Sequence, residues 1–184
     1  LPTTQVGRSY EGGVEWRGGR AEFSVLAWRL DVDAEIAFDP ASGSNFNIGD
    51  SRRNGLTLGA GWSPWSRLHL SASYGWIDAW LTSGPWDGSD VTFVAEHVGR
   101  VGARLDLTAQ AYAGLEVAGT SGRVLAGDFA NTLPALGGYA VGNLKFAWAR
   151  DGLTVEVRAN NLLDRQYSDA GSAGFEFRDF SFAP

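Results

Sequence analysis

The chain reads Leu26-Ala27-Trp28-Arg29-Leu30-Asp31-Val32-Asp33-Ala34-Glu35-Ile36-Ala37-Phe38 along one stretch, and this stretch decides the fold class. Every even position carries an apolar side chain, whereas four of the odd positions are charged. A helix would spread these charges around its circumference, but a strand places all of them on one face. The stretch therefore predicts a β-strand with a charged face and an apolar face.

Other segments show the same alternation of polar and apolar residues. They are residues 10–17, 56–62, 68–76, 101–107, 112–120, 144–148 and 153–157. Short connections alternate with long, polar, glycine-rich ones; the short ones are 18–20, 63–66, 108–110 and 150–152, and the long ones lie near 40–53, 84–97, 127–139 and 169–184. No segment has helical periodicity, so the sequence predicts an all-β protein of about eight strands.

The lengths of the strands and connections favour a membrane-spanning barrel over a soluble protein. The stretch at 26–38 alternates over 13 residues, whereas strands in soluble proteins average about 5–6 residues and membrane-spanning strands about 9–11. Tight turns at one end and long loops at the other are typical of outer-membrane barrels. The alternative is a soluble sandwich or lipocalin-like barrel, whose apolar face points inward. We expect an antiparallel up-and-down transmembrane β-barrel.

Composition excludes several classes of protein. The 184 residues include 15 Lys plus Arg against 21 Asp plus Glu, a net charge of −6, so we expect no nucleic-acid partner. There is no Cys, which removes disulfides and thiolate sites. The two histidines, His69 and His97, have no metal-site spacing, and neither has a convincing Ser and acid beside it in the sequence. We predict no enzyme, no cofactor and no bound metal.

The order of turns and loops predicts that the chain is an interior stretch of a larger barrel. The first strand runs into a short turn and the last runs out into a long loop, so both ends would lie outside the cell. Complete bacterial barrels keep their ends in the periplasm. Residues 175–184 are therefore interpreted as a loop that leads to a further strand.

Several motifs resemble those of TonB-dependent outer-membrane receptors. An acidic-Ile-x-Phe strand at 33–40 is followed by an Asn-rich loop and by Arg52-Arg53-Asn54-Gly55. Val94-Ala95-Glu96-His97 lies where the family has a Pro-x-x-Pro-x-His entry to a strand, although both prolines are missing here. Residues 131–141 resemble the following loop and strand. Asn160-Asn161-Leu162-Leu163-Asp164-Arg165-Gln166-Tyr167 is similar to a motif near the C-terminus of the family.

The resemblance implies a barrel of about 22 strands, of which residues 1–184 would form the C-terminal portion without the final strand. It implies a place in the bacterial outer membrane, contact with outer-membrane lipid, and a plug domain that is not present in this chain. Through that plug the TonB–ExbB–ExbD complex would energise uptake of a scarce nutrient, a ferric siderophore or a similar metal chelate. The alternative is a small stand-alone eight-stranded outer-membrane barrel with a structural or passive-pore role.

Two sets of residues are candidates for function if the resemblance holds. Aromatic and Arg side chains in the loops suit an anionic, partly aromatic ligand, although they could also pack the loops against each other; they are Phe46, Arg52, Arg53, Trp86, Phe129, Tyr139, Phe175, Phe177 and Arg178. Charged residues on the polar strand faces are expected to face the lumen and hold the plug; they are Arg29, Asp31, Asp33, Glu35, Arg104, Asp106, Glu116, Lys145, Glu156 and Arg158.

Overall fold

Each strand of the sheet pairs with the next strand along the chain. In the computed structural model, which describes residues 1–173, eight antiparallel strands form one sheet in the order β1 to β8. They are β1 (Val6–Gly18), β2 (Ala21–Asp39), β3 (Ser44–Trp65), β4 (Leu68–Leu81), β5 (His97–Asp106), β6 (Ala111–Thr120), β7 (Tyr139–Arg150) and β8 (Leu153–Ala159). The described residues contain no helix that is long and apolar enough to cross a bilayer. The predicted all-β, up-and-down order is confirmed.

Short turns join the strands at one end of the sheet, and longer loops join them at the other. The turns are residues 19–20, 66–67, 107–110 and 151–152, and the loops are 40–43, 82–96 and 121–138. We call these two ends the turn end and the loop end. One predicted loop is wrong, because residues 44–53 continue β3 against β2, with Asn45 opposite Phe38. Their polar composition resembles a loop, but paired backbone needs no apolar side chains.

The register gives the sheet one apolar and one polar face. Residues directly opposite each other in antiparallel strands point to the same side. The apolar face carries Val14, Trp16, Phe23, Trp62, Val101, Leu115, Leu144 and Val157, each more than 40% exposed. We call these residues, with the residues directly opposite them, the apolar band. Glycine, Ser, Thr and charged residues dominate the polar face towards the turn end. An exposed apolar surface of this extent suits lipid rather than water.

Near the loop end, the polarity of the two faces reverses along β2. The register places Arg29 opposite Asn54 and Asp31 opposite Arg52, on the face that carries apolar side chains further down the same strands. Asp33 is on this side as well, 3.2 Å from Arg8. The ten residues predicted to face the lumen are therefore divided between the two faces, with Arg29, Asp31 and Asp33 on the side opposite to the other seven. Alternation defines two faces, but it does not say which one is turned inward.

Other charged residues lie on the polar face, and one of them depends on a bulge. Asp33 and Ala34 of β2 form the bulge, where Ala34 has φ 54°, so that Glu35 lies on the polar side with Ser51. Further along the sheet, the residues predicted to face the lumen that occupy this face are Arg104, Asp106, Glu116, Lys145, Glu156 and Arg158.

The buried core lies at the loop end, where loop residues cover the inner side of β3 and β4. We call the 82–96 and 121–138 loops, together with the strand ends that they cover, the cap, and we call Ile48, Ala79, Leu81, Val91 and Phe129 the cap core. Ile48 and Leu81 are only 2% and 1% exposed. By contrast, β1 and β8 bury no side chain. The packed interior is therefore local to the loops and does not extend down the sheet.

Candidate functional site

Three of the predicted ligand residues contact each other in the cap. The ring centroids of Phe46 and Phe129 are 5.4 Å apart, those of Trp86 and Phe129 are 5.2 Å apart, and those of Phe46 and Trp86 are 6.0 Å apart. Phe129 is only 7% exposed. Edge-on and tilted pairs of this kind stabilise a packed cluster. These rings hold three chain segments together, and because Phe129 is buried while Phe46 and Trp86 are half-buried, part of their aromatic surface is used for contacts within the chain.

Close backbone contacts fix the same segments. Gly49 has φ 117°, and a Cβ there would lie 2.2 Å from the carbonyl oxygen of Ser83, so only glycine fits this crossing of β3 and the 82–96 loop. At the tip of the β2–β3 hairpin, Pro40 packs on Gly127 of the 121–138 loop. Within that loop, the Asp128 carboxylate accepts hydrogen bonds from the backbone N–H groups of Thr132 and Leu133 at 3.0 and 2.9 Å. The cap is therefore internally braced.

The neighbouring Arg52 and Arg53 are both on β3 and point to opposite sides of the sheet. The Nε of Arg52 donates to Asp31 at 2.7 Å, and its guanidinium lies 6.0 Å from the ring centroid of Trp80. Arg53 points to the polar face, where its guanidinium contacts Glu35 and donates to the Ser51 hydroxyl. Both guanidinium groups already have partners within the chain, so the structure does not join them into one cationic patch.

Tyr139 begins β7 at the loop end, outside the apolar band, and belongs to a separate cluster. Its hydroxyl donates to Asp169, and its ring stacks on Tyr167 with centroids 4.0 Å apart. Burial and the Asp169 carboxylate raise the pKa of Tyr139 to about 12. Arg123 also contacts Asp169 and lies over the ring of Phe93 at 5.0 Å.

The remaining ligand candidates, Phe175, Phe177 and Arg178, lie outside the described residues. The structure thus brings Phe46, Trp86 and Phe129 together in the cap and separates Arg52, Arg53 and Tyr139 from them.

The polar face between β4 and β8 carries a connected set of charged side chains. Arg104 bonds to Asp106 at 2.9 Å, and Lys145 bonds to Glu156 at 2.7 Å. Glu156 also accepts a hydrogen bond from the Nε of Arg158. The Tyr112 ring lies between them, 4.0 Å from the Arg104 guanidinium and 5.7 Å from the Lys145 ammonium group. This surface remains open and borders a groove of about 490 Å³.

Sequence reasoning missed a hydrogen-bonded chain of Ser63, His69 and Asp106. Ser63 Oγ lies 2.9 Å from His69 Nδ1, and His69 Nε2 lies 3.1 Å from Asp106 Oδ2. The three residues come from β3, β4 and β5, so no linear spacing reveals them. Hydrolase triads use the same residue types, but here the Asp106 carboxylate is shared with Arg104. The chain ties the turn end of β3 to β5.

The second histidine has a comparable structural setting. His97 Nδ1 lies 2.8 Å from the Tyr74 hydroxyl, and the two rings stack at 6.0 Å. Residues 1–173 contain no group of three or more His, Cys, Asp or Glu side chains placed to hold a metal ion.

Comparisons with known proteins agree with the fold. A family model described as "TonB dependent receptor-like, beta-barrel" matches residues 4–162. The ferric-catecholate import receptor Fiu of E. coli K12 in its closed form superposes with a TM-score of 0.72 at 19% identity, over 94% of this chain and 25% of that one. The ferric yersiniabactin uptake receptor FyuA of Yersinia pestis gives 0.78 at 19% identity, over 94% and 27%.

The copper transporter OprC gives a TM-score of 0.79 at 16% identity, over 96% of this chain and 29% of that one. A search of the curated proteins finds no match. The chain therefore spans between a quarter and a third of the length of these three structures. Because the family model matches most of the chain, this protein belongs to the TonB-dependent receptor family, and the chain is part of its β-barrel.

Proposed function

We propose that this chain is the C-terminal portion of an outer-membrane receptor that imports a metal chelate, most simply a ferric siderophore, with energy from the TonB–ExbB–ExbD complex. A plug domain encoded elsewhere in the full protein would occupy the lumen and transmit that energy. The barrel would bind and gate without covalent chemistry.

One observation carries the proposal: a family-typical sheet combines an exposed apolar face with a charged face that has no packed core of its own. The apolar face suits lipid, and the charged face between β4 and β8 suits a wet lumen that holds another polar body. Two similar structures are named as receptors for ferric chelates and a third as a siderophore receptor. All three are less than 20% identical to this chain. Their ligands are therefore not assigned to this protein, and the metal-chelate class is part of our proposal.

The cap supplies the outer wall of the proposed receptor. Because Phe46, Trp86 and Phe129 pack on each other, ligand contact from these loops would come from their polar surroundings more than from the rings. Phe175, Phe177 and Arg178 stay as proposed ligand residues.

The experiment is uptake of a panel of radiolabelled ferric chelates by cells that carry or lack the full-length gene. The panel includes anionic and neutral chelates, and each is measured with and without a protonophore that collapses the energy supply. We expect one or more chelates to enter only in cells that carry the gene and only when energised. Entry that is equal in both strains for every chelate would contradict the proposal.

The alternative, a stand-alone eight-stranded barrel, requires β1 to pair with β8. Within residues 1–173 these two strands are not paired, and each has one free edge. The mass of the intact polypeptide from detergent-extracted outer membranes separates the two models. A mass several times 19.7 kDa supports the receptor, whereas a mass of 19.7 kDa supports the small barrel.

A further inference from the structure

Four strands each place one basic side chain in the same row of the polar face. His69 lies opposite Arg104, Arg104 opposite Gly114, Gly114 opposite Lys145, and Lys145 opposite Arg158. We call His69, Arg104, Lys145 and Arg158 the basic row. Their side chains are between 34% and 61% exposed, so all four remain accessible from the lumen side.

The acidic partners of the basic row lie in the next row towards the turn end. Asp106 is opposite Tyr112, and the same row continues through Ala147 to Glu156. Arg104 and Arg158 each use Nε to bond to these carboxylates. Among the described residues, the Nη groups of both arginines make no hydrogen bond. Four guanidinium nitrogens are therefore available to a further ligand.

A groove of about 490 Å³ runs along the basic row. Gly102 and Gly114 lie in its lining, together with Ser71, Asn143 and Asn160. A Cβ on Gly114 would meet nothing closer than the Ala103 carbonyl oxygen at 3.7 Å, so the missing side chain leaves open space between Arg104 and Lys145. Glu116, the acid in the groove lining, is 3.5 Å from Arg100. The groove therefore combines free cationic donors with neutral amide and hydroxyl groups.

We propose that this groove binds an anionic, oxygen-rich metal chelate and guides it along the β4–β8 wall of the lumen. The proposal rests on the proposed function and adds the charge class and the route of the substrate. Guanidinium groups match the paired oxygens of carboxylate or catecholate groups. The groove lining holds three cationic side chains, Arg104, Lys145 and Arg158, against the single carboxylate of Glu116, and such an excess of positive charge raises the local concentration of an anion. A neutral chelate gains no Coulomb attraction from the basic row, so the route selects by charge.

The first test removes charge from the groove in the full-length protein. The variant Arg104→Gln/Arg158→Gln keeps side chains of similar reach, and the control Arg8→Gln/Arg29→Gln removes the same charge from the opposite face. Energised uptake is measured for each panel chelate that the wild type imports. We expect uptake of anionic chelates to fall on the order of tenfold in the groove variant, with neutral chelates and the control unchanged.

The second test blocks the groove while it keeps every charge. Gly114→Leu places a side chain between Arg104 and Lys145, whereas Gly142→Leu adds the same group on the apolar face, where no atom lies within 4 Å. Gly114→Leu should lower uptake of anionic chelates, and Gly142→Leu should not. Binding of chelate to de-energised cells should be unaffected in both variants, because the proposed groove acts after capture.

Other results would overturn the proposal in recognisable ways. If both groove variants lower anionic and neutral uptake equally and also admit a bulky antibiotic that the wild type excludes, then the groove anchors the plug. If the wild type imports only neutral chelates, or if neither groove variant changes uptake, then the basic row is not a substrate route. If the wild type imports no chelate at all, it is the proposed function that fails.

Discussion

The middle of the sheet and its loop end use the same strands in opposite ways. On β2 the outward side chain at Val25 is apolar and the one at Arg29 is charged, although both belong to the same face. On the inner side of the same strand, the polar Ser24 lies nearer the turn end, and the apolar Leu30 and Val32 lie nearer the loop end. In the middle of the sheet the apolar side chains of the band point outward. Towards the loop end the apolar side chains of β2 point inward, where the cap core covers this side of the sheet.

This difference teaches that burial, and not strand geometry, decides which face is apolar. In outer-membrane barrels, a strand within the apolar band meets lipid on one side and the lumen on the other. Beyond the band the outside becomes water, and the loops supply a dry interior. Backbone pairing between β2 and β3 continues across this boundary from Ala21 to Val32. The polarity of the side chains on each face therefore reverses while the strands stay paired.

The largest effect is expected in the cap. Replacing Phe129 by Ala removes a nearly fully buried ring and should lower the free energy of unfolding of the cap by about 3–5 kcal/mol. Protease cleavage within the 121–138 loop, followed against urea concentration, measures this. The control Leu133→Ala, at a site that is 39% exposed, should change little. Equal sensitivity of the two variants would mean that the cap has no packed core.

A matched pair on one face of β2 tests the reversal itself. Val25→Arg puts a charge into the apolar band and should cost about 2–4 kcal/mol, the cost of an Arg on the lipid face at the midplane of a bilayer. Arg29 lies four residues nearer the loop end on the same face, outside the band. Arg29→Leu removes its charge and should cost under about 1 kcal/mol. Urea unfolding of the full-length protein in lipid vesicles gives both values. Similar costs for the two variants would contradict a change of environment between Val25 and Arg29.

A carboxylate at the base of the cap predicts a pH effect. Asp50 Oδ1 accepts a hydrogen bond from the Ala34 backbone N–H at 2.9 Å, and this bond, with Ser83, lowers the pKa of Asp50 in the folded state. The ionised Asp50 therefore stabilises the folded state fully at pH values above the pKa of Asp in the unfolded chain, about 3.9. This stabilisation disappears as the pH falls through the lowered pKa of the folded state.

Asp50→Asn should therefore weaken the cap by about 0.5–1.5 kcal/mol at pH 7 and have no effect below the folded pKa. Protease resistance of the cap at neutral and strongly acidic pH measures the difference. The same loss at both pH values would assign the effect to geometry and not to charge.

The smallest effect is expected for the ion pairs outside the band. Asp31→Asn breaks contacts to Arg29 and Arg52, whose side chains are 43% and 36% exposed, and should lower the free energy of unfolding only slightly, because solvent screens exposed ion pairs. Glu35→Gln should cost more, because Glu35 and Arg53 are 11% and 18% exposed. Urea unfolding of both variants ranks the two pairs. The opposite ranking would refute the placement of Glu35 inside and Asp31 outside.

Much of the candidate site was less accessible to prediction than the fold. Phe46, Trp86 and Phe129 stand out in sequence as loop aromatics, but their mutual packing depends on three loops that meet only in space. The chain from Ser63 through His69 to Asp106 is invisible for the same reason. The basic row could be found only in part, since Arg104, Lys145 and Arg158 are evident as polar-face charges while their alignment depends on the strand register.

By itself, the sequence determined that the protein is all-β, that its strands alternate and exceed soluble lengths, and that turns and loops occupy opposite ends. These features are local, because period and turn chemistry are read from neighbours along the chain. Only the tertiary structure decided which face of β2 is inward, how far β3 extends, and which charges share a row. Those depend on register and on a bulge at Ala34, and a shift of one residue exchanges the two faces.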